Sequence, residues 1–268
     1  MAQSSQDDMK KTAAEVKKAS FIDYVPPEVE SGRQLVQQYA KFAPDEADAH
    51  LFNIRERAWD VFPYGAIGRF WFLNLSPALD DQRFQSVVAR LQHPESNEAF
   101  LEVGCLLGTL IRYLAWHGIP TRRLYGIDLQ PGFLDIGYDL FRDKDTSQAT
   151  YVAADMLKDA PSAVRLHGKI DIIYAANFFH LFERDDQIKA AKQMIKLLNL
   201  DNPDVLIFGK NQGVSGKGDE WKKYILDADA WRDLWAQVGA ETGTQWATEL
   251  ELVVNHQWII ATFAVRRA

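Results

Sequence analysis

The sequence predicts an α/β protein: a seven-stranded, mostly parallel sheet flanked by helices, with a C-terminal antiparallel hairpin and an N-terminal helical cap. Three observations carry this. The stretch Ala99 to Trp116, AFLEVGCLLGTLIRYLAW, reads as a buried strand to Val103, a turn bounded by Gly104 and Gly108, and a helix. In that helix Leu107, Leu110, Ile111 and Leu114 recur at helical spacing. Apolar strands and amphipathic helices then alternate, the pattern of parallel βα units. Finally, two alternating segments, Gln245 to Leu252 and Gln257 to Val265, flank the polar Val254-Asn255-His256 and close the chain as a hairpin.

Composition bounds the rest. With 268 residues, 47% apolar and 12% aromatic, the chain can bury one large core with an appended cap. A net charge of -7 argues against a partner that is mainly nucleic acid backbone, which demands a basic face. Cys105 is the sole cysteine, so there is no intrachain disulfide, no expected metal centre, and a reducing cytoplasm suits the chain. The N-terminal residues lack an apolar signal core, and no apolar run is long enough to span a bilayer. The expectation is a soluble, cytoplasmic protein with no nucleic acid or membrane partner, and with a homodimer left open. Its expected parts are a flexible tail (1–20), a helical cap contributing to a substrate cleft (21–95) and a cofactor-binding core (96–268).

In the cap, Pro26-Pro27 leads into a helix from Glu28 to Ala40, and Pro44-Asp45 opens another toward Trp59. Val61 to Pro77, VFPYGAIGRFWFLNLSP, is dense in aromatics and turn formers and holds one charge, Arg69. Such a mixture packs a cap more often than it does chemistry. Tyr64 and Arg69 are nevertheless candidate substrate contacts, Arg69 for a carboxylate. A helix from Asp80 to Gln92 then runs to the first strand.

The turn after that strand narrows the ligand. A dinucleotide fingerprint would place glycine where Leu106 stands, and a phosphate loop would end Gly-Lys-Ser/Thr where the chain reads Gly108-Thr109-Leu110. Glu102 would repel a pyrophosphate but suit an ammonium. The pattern E-x-G-x-x-x-G resembles the first motif of class I S-adenosylmethionine-dependent methyltransferases. Glu102, Gly104 and Gly108 are therefore cofactor-binding candidates.

Arg123 to Asp128, RLYGID, is a second strand ending on an acid placed to accept both hydroxyls of a ribose. A helix from Gln130 to Phe141 follows. The third strand, Thr150 to Ala154, ends at Asp155-Met156. Asp155 either accepts from an adenine amino group, with Met156 against the ring, or is an ordinary turn acid. The fourth strand, Lys169 to Phe178, is nearly all apolar, as a strand buried on both faces should be. It delivers Asn177, a candidate cofactor contact, and Phe178 and Phe179, candidate substrate contacts. His180 follows, either a catalytic base for a hydroxyl acceptor or a histidine hydrogen-bonded between strand and helix. After a helix from Asp185 to Leu198, a fifth strand, Asp204 to Gly209, enters KNQGVSGKGDE, expected as a mobile flap whose Lys210 and Asn211 are further polar candidates. A tryptophan-rich helix, Asp227 to Val238, precedes the hairpin.

Four blocks, DYVPPEV (Asp23 to Val29), VFPYGAIGRF (Val61 to Phe70), LYGIDLQPGFLDIGYDLFRDKDT (Leu124 to Thr146) and FFHLFERDDQIKAAKQM (Phe178 to Met194), together resemble the small fungal methyltransferases of meroterpenoid and related secondary-metabolite pathways, the austinol-pathway type. The resemblance runs from about Asp23 to the C-terminus. It implies a Rossmann-like class I methyltransferase fold and S-adenosyl-L-methionine as cofactor. It also implies cofactor contacts at Asp128, Leu129, Asp155 and Met156, with Glu102 and Gly104 at the methionine end. The implied reaction is O-methylation of a carboxylate or hydroxyl on a small hydrophobic metabolite, which needs no metal. Leu106, Leu107 and Leu110 are apolar where the family often carries a polar residue. That keeps a second reading open, a cyclisation or rearrangement on the same fold without methyl transfer. A third, a non-catalytic binding subunit, is disfavoured by the set Glu102, Asp128 and Asp155.

Overall fold

A computed structural model describes residues 15, 17–214, 224–254 and 258–268. The described strands are β1 (Phe100–Val103), β2 (Leu124–Asp128), β3 (Thr150–Ala153), β4 (Ile172–Tyr174), β5 (Leu206–Val214), β6 (Trp246–Val254) and β7 (Trp258–Arg267). They form a seven-stranded sheet in the order β3-β2-β1-β4-β5-β7-β6. The longer helices are α1 (Glu30–Tyr39), α2 (Pro44–Val61), α3 (Gln82–Gln92), α4 (Thr109–Trp116), α5 (Pro131–Phe141), α6 (Arg184–Leu197) and α7 (Ala228–Thr242). The sheet matches the expected architecture. From β1 the chain steps outward through β2 to β3, then returns to β4 on the other side of β1, and these pairs are parallel. Such a reversal point is where open α/β sheets take their ligands. β7 is antiparallel to both its neighbours and lies between β5 and β6.

Two strands differ from their sequence reading. The fourth was expected over Lys169 to Phe178, but the ladder covers Ile172–Tyr174. At its start the Asp171 carboxylate accepts from the Ala99 backbone N–H at 2.8 Å and from the Asn199 and Asn202 amides at 3.1 and 2.8 Å. At its end Asn177 takes a left-handed φ of 50°, which breaks the extended run. The fifth strand was expected to stop at Gly209 but continues to Val214, because β7 pairs with it from Leu206↔Arg266 to Val214↔Trp258. Lys210, Asn211 and Gln212 thus belong to the sheet. The remainder of the expected flap, 215–220, lies outside the described residues.

The residues form two compact units, each with its own core. The second comprises Pro77–Cys105, His117–Leu129 and Gln148–Ala268, and contains the whole sheet. On one face Leu101, Val103, Ile127, Ile173 and Ile207 share a core with Ala191 and Met194 of α6 and Trp231 and Trp235 of α7. On the other, Tyr174 packs against Phe84 of α3 and Phe208, with ring centroids 5.9 and 5.0 Å apart. Each such large side chain contributes about 1.5–3 kcal/mol on burial.

The first unit holds the described residues up to Ser76, with Leu106–Trp116 and Gln130–Ser147. The expected cap is therefore divided at Ser76, and α3 belongs with the sheet. In this unit Leu51 and Ile54 of α2 share a core with Leu107, Phe133 and Leu140. A Cβ on Gly137 of α5 would overlap the Leu107 carbonyl oxygen, so only glycine allows that approach. Arg112, 1% exposed, forms a two-pronged ion pair with Asp143 and donates through Nη1 to the Leu107 carbonyl at 2.8 Å. The Tyr39 hydroxyl donates to Asp143 at 3.0 Å, and burial, then the Asp143 charge, pushes its phenol well above the usual range.

Candidate active site

The carboxyl edge of the sheet is built from strand ends inside the second unit. β1 carries the half-buried Glu102 and ends at Val103; the next residue, Gly104, turns at a φ of 74°. Its N–H and that of Cys105 both donate to the Ile127 carbonyl, at 2.8 and 3.0 Å, which ties the turn to β2. A Cβ on Gly104 would meet Phe178 at an ordinary 3.5 Å, so the backbone angle, rather than lack of room, asks for glycine here. Val103 pairs with Ile127, which makes Gly104 and Asp128 neighbours at the edge. Asp128 is buried at the tip of β2, and Leu129 beside it is 55% exposed.

Beyond β3, both oxygens of Asp155 are engaged. Oδ1 accepts from the Leu157 N–H at 2.9 Å and Oδ2 pairs with the Lys158 ammonium at 2.9 Å. The hydrogen bond from Lys158, then that from Leu157, holds the carboxyl below its usual pKa. These are the contacts of a turn acid. Met156 is buried next to it.

Beyond β4, Asn177 acts as a clamp: its N–H donates to the Lys210 carbonyl at 2.7 Å, and its Oδ1 accepts from the Gln212 N–H at 3.1 Å. Phe178 and Phe179 are buried in an aromatic cluster. Phe178 stands 5.2 Å from Phe182, and Phe179 stands 5.2 and 5.6 Å from Trp231 and Phe263. Phe179 is 1% exposed and serves the core. His180 lies in the one-turn helix Phe179–Leu181. Burial pushes its imidazole pKa down, and a hydrogen-bonding interaction with Asn211 of β5 raises it in part.

The sequence reading passed over Tyr174. It pairs with Glu102 across β1 and β4, and its buried hydroxyl has no hydrogen-bond partner among the described residues. Burial, then the Glu102 and Asp81 carboxylates, push its phenol far up. A hydroxyl inside an otherwise apolar strand was the available signal.

Gly108, Tyr64 and Arg69 belong to the first unit. Gly108 has a φ of 68°. Tyr64 packs 4.4 Å from Phe62 and 6.1 Å from Phe133, and exposed Arg69 lies 5.9 Å from the Trp71 ring. A cavity of about 670 Å³ in the second unit is lined by Asp81, Arg83, Lys210, Glu249 and Glu251 among others, and its charged walls do not suit an apolar molecule. Among the described residues no group of histidines, cysteines and acids could hold a metal, and no helix is long and apolar enough to cross a membrane.

Residues 22–73 match the family model of the meroterpenoid methyltransferase N-terminal domain, and residues 100–201 match a methyltransferase domain. O-methyltransferase phiE of a fungal species (strain ATCC 74256) is 39% identical over 233 residues, which is 84% of this chain and 76% of that one. This chain belongs to the fungal meroterpenoid methyltransferases. Asnovolin E/Chermesin D methyltransferase nvfJ of Aspergillus novofumigatus is 34% identical, over 81% of this chain and 78% of that one. Phosphoethanolamine N-methyltransferase 2 of Haemonchus contortus, solved with S-adenosylhomocysteine, shares the fold at a TM-score of 0.53 and 14% identity, over 80% of this chain and 60% of that one. The meroterpenoid methyltransferase described here is thus a class I enzyme that uses S-adenosylmethionine for O-methylation. The rearrangement reading is not better supported.

The residues present fit that cofactor. Glu102 and Asp128 put two carboxylates on adjacent strands beside a glycine turn, a set suited to an ammonium and to sugar hydroxyls. It is unsuited to a phosphate.

Proposed function

We propose that this enzyme methylates an oxygen, a carboxylate or a hydroxyl, on a small apolar metabolite of the meroterpenoid or polyketide type. The observation that carries the reading is the match of residues 22–73 to the meroterpenoid methyltransferase N-terminal domain, since the match over 100–201 speaks only for methyl transfer in general. The names of the relatives phiE and nvfJ support it. Bound S-adenosylmethionine supplies a methyl group already activated by its sulfonium. The protein has to hold, align and dry the reactants, and orientation alone is worth up to about 7–11 kcal/mol.

In this reading Asp128 accepts from the ribose hydroxyls, and Glu102 with Gly104 serves the methionine end. Leu129, Asp155, Met156 and Asn177 are kept as cofactor contacts, and Phe178 as a substrate contact. Asp155 and Asn177 would have to share oxygens already used by Leu157, Lys158 and Gln212. A carboxylate acceptor is ionised at neutral pH and needs no base. A hydroxyl acceptor gives its proton to His180, which burial keeps neutral and so able to accept it. We place the enzyme in the cytoplasm, with a homodimer as its open alternative in solution.

The test is incubation of the purified protein with labelled S-adenosylmethionine and small apolar acids and phenols of fungal origin, followed by mass spectrometry. The expected product is heavier by one methyl group. Label that is bound yet reaches no oxygen of any such acceptor would overturn the proposal.

A further inference from the structure

The segment leading into His180 is tied to β5. Asn177 bonds through its N–H to Lys210 and through its side chain to Gln212, the residues on either side of Asn211. The one-turn helix Phe179–Leu181 packs on β5, so the ring of His180 follows directly on a clamped segment. Asn211 is 4% exposed, and strand alternation puts it on the sheet face of Ile207, away from Lys210. His180 Nδ1 and Asn211 Oδ1 are both fully buried, and neither completes a hydrogen bond among the described residues. The rise that Asn211 gives to the imidazole pKa agrees with that packing. Burial is the other influence on the imidazole, and no charged side chain of the described residues joins them. A ring nitrogen and an amide oxygen, each buried without a partner on segments that pack together, are a donor and an acceptor that can complete one another.

We propose that Asn211 is the positioning residue of His180: its buried Oδ1 accepts the Nδ1–H, fixing the tautomer whose Nε2 lone pair takes the acceptor's proton. Free imidazole favours the proton on Nε2, so this tautomer must be imposed by a partner. An amide imposes it without adding charge, and the imidazole stays a weak, mostly unprotonated base. The inference deepens the reading of His180 as a base, and it matters only for a hydroxyl acceptor.

Two-bond proton–nitrogen NMR on the full chain labelled with ¹⁵N-histidine reads the tautomer without any substrate, with His180 assigned from His180→Ala. The expected wild-type ring is protonated at Nδ1, and Asn211→Ala moves the proton to Nε2. In Asn211→Asp the new carboxylate should raise the imidazole pKa by about one unit, a tenfold change in proton affinity. A wild-type ring protonated at Nε2 overturns the proposal even if the variants fail to fold. So does an Asn211→Ala ring that keeps its Nδ1 proton. The parent reading is judged apart, by the rate of His180→Ala on a hydroxyl acceptor: an unchanged kcat removes His180 as base and leaves the tautomer result standing. A merely structural Asn211 would lower Tm without moving either tautomer or pKa.

Discussion

Arg112 and Asp143 face each other as a buried fork, with guanidinium Nε and Nη2 each 2.9 Å from a carboxylate oxygen. Removing one side strands the other charge where water cannot reach it. Arg112→Ala should therefore cost about 3–5 kcal/mol, whereas a paired apolar replacement such as Arg112→Met with Asp143→Leu should cost far less. Urea unfolding of the single and double variants tests this; equal losses in both would show that packing, and not the charge, is at stake.

Gly137 has no room for a side chain because of the Leu107 carbonyl. Gly137→Ala improves helix propensity but forces the backbone of the two segments apart. The expected net effect is a loss of about 1–3 kcal/mol, read as a lower Tm. A Tm that rises, as helix propensity alone predicts, would contradict the contact.

Asp128 and Asp155 should respond differently to truncation. If Asp128 accepts from the ribose, Asp128→Ala weakens S-adenosylmethionine binding by roughly tenfold or more in calorimetry. Asp155→Ala should weaken it less, since its oxygens already serve Leu157 and Lys158. An unchanged affinity for Asp128→Ala ends the ribose assignment.

Two half-buried histidines, His180 and His50, link stability to pH. The pKa of His180 is lowered from 6.5 by burial, and that of His50 likewise, where the ring stacks 4.1 Å from Phe42. Their folded-state values lie below the unfolded one, so the unfolded chain takes up protons first as pH falls. Their contribution is complete above 6.5 and is lost on going down through the folded values. Urea midpoints at a pH of about 7.5 and about 5.5 should differ, and His180→Gln or His50→Gln should each shrink the difference. A gap that neither change alters would mean that other groups set it.

Asn177 combines a left-handed backbone with a side-chain bond to Gln212. Asn177→Gly keeps the first and loses the second; Asn177→Ala loses both. The alanine variant should be the less stable, with strain costing on the order of 1 kcal/mol beyond the lost bond. Equal Tm values for the two would show the backbone to be unstrained.

Local patterns determined the order of strands and helices, the hairpin at the end, and the acids at the tips of β1 and β2. Apolar runs, helical spacing and glycine turns are properties of a few consecutive residues, so they can be read along the chain. What each polar side chain is used for was decided by packing. Asp155 was legible as an acid after a strand, but its partners are set by where Leu157 and Lys158 fall in the turn. The polar run Lys210-Asn211-Gln212 looks like a loop and became strand because β7 supplies hydrogen bonds along its full length. Tyr174 was hidden for the same reason: a buried hydroxyl acquires meaning only when another strand is laid beside it. Sequence alone thus specified which side chains stand at the strand ends. Tertiary structure chose the partners, since a hydrogen bond depends on distances of about 3 Å between residues far apart in the chain.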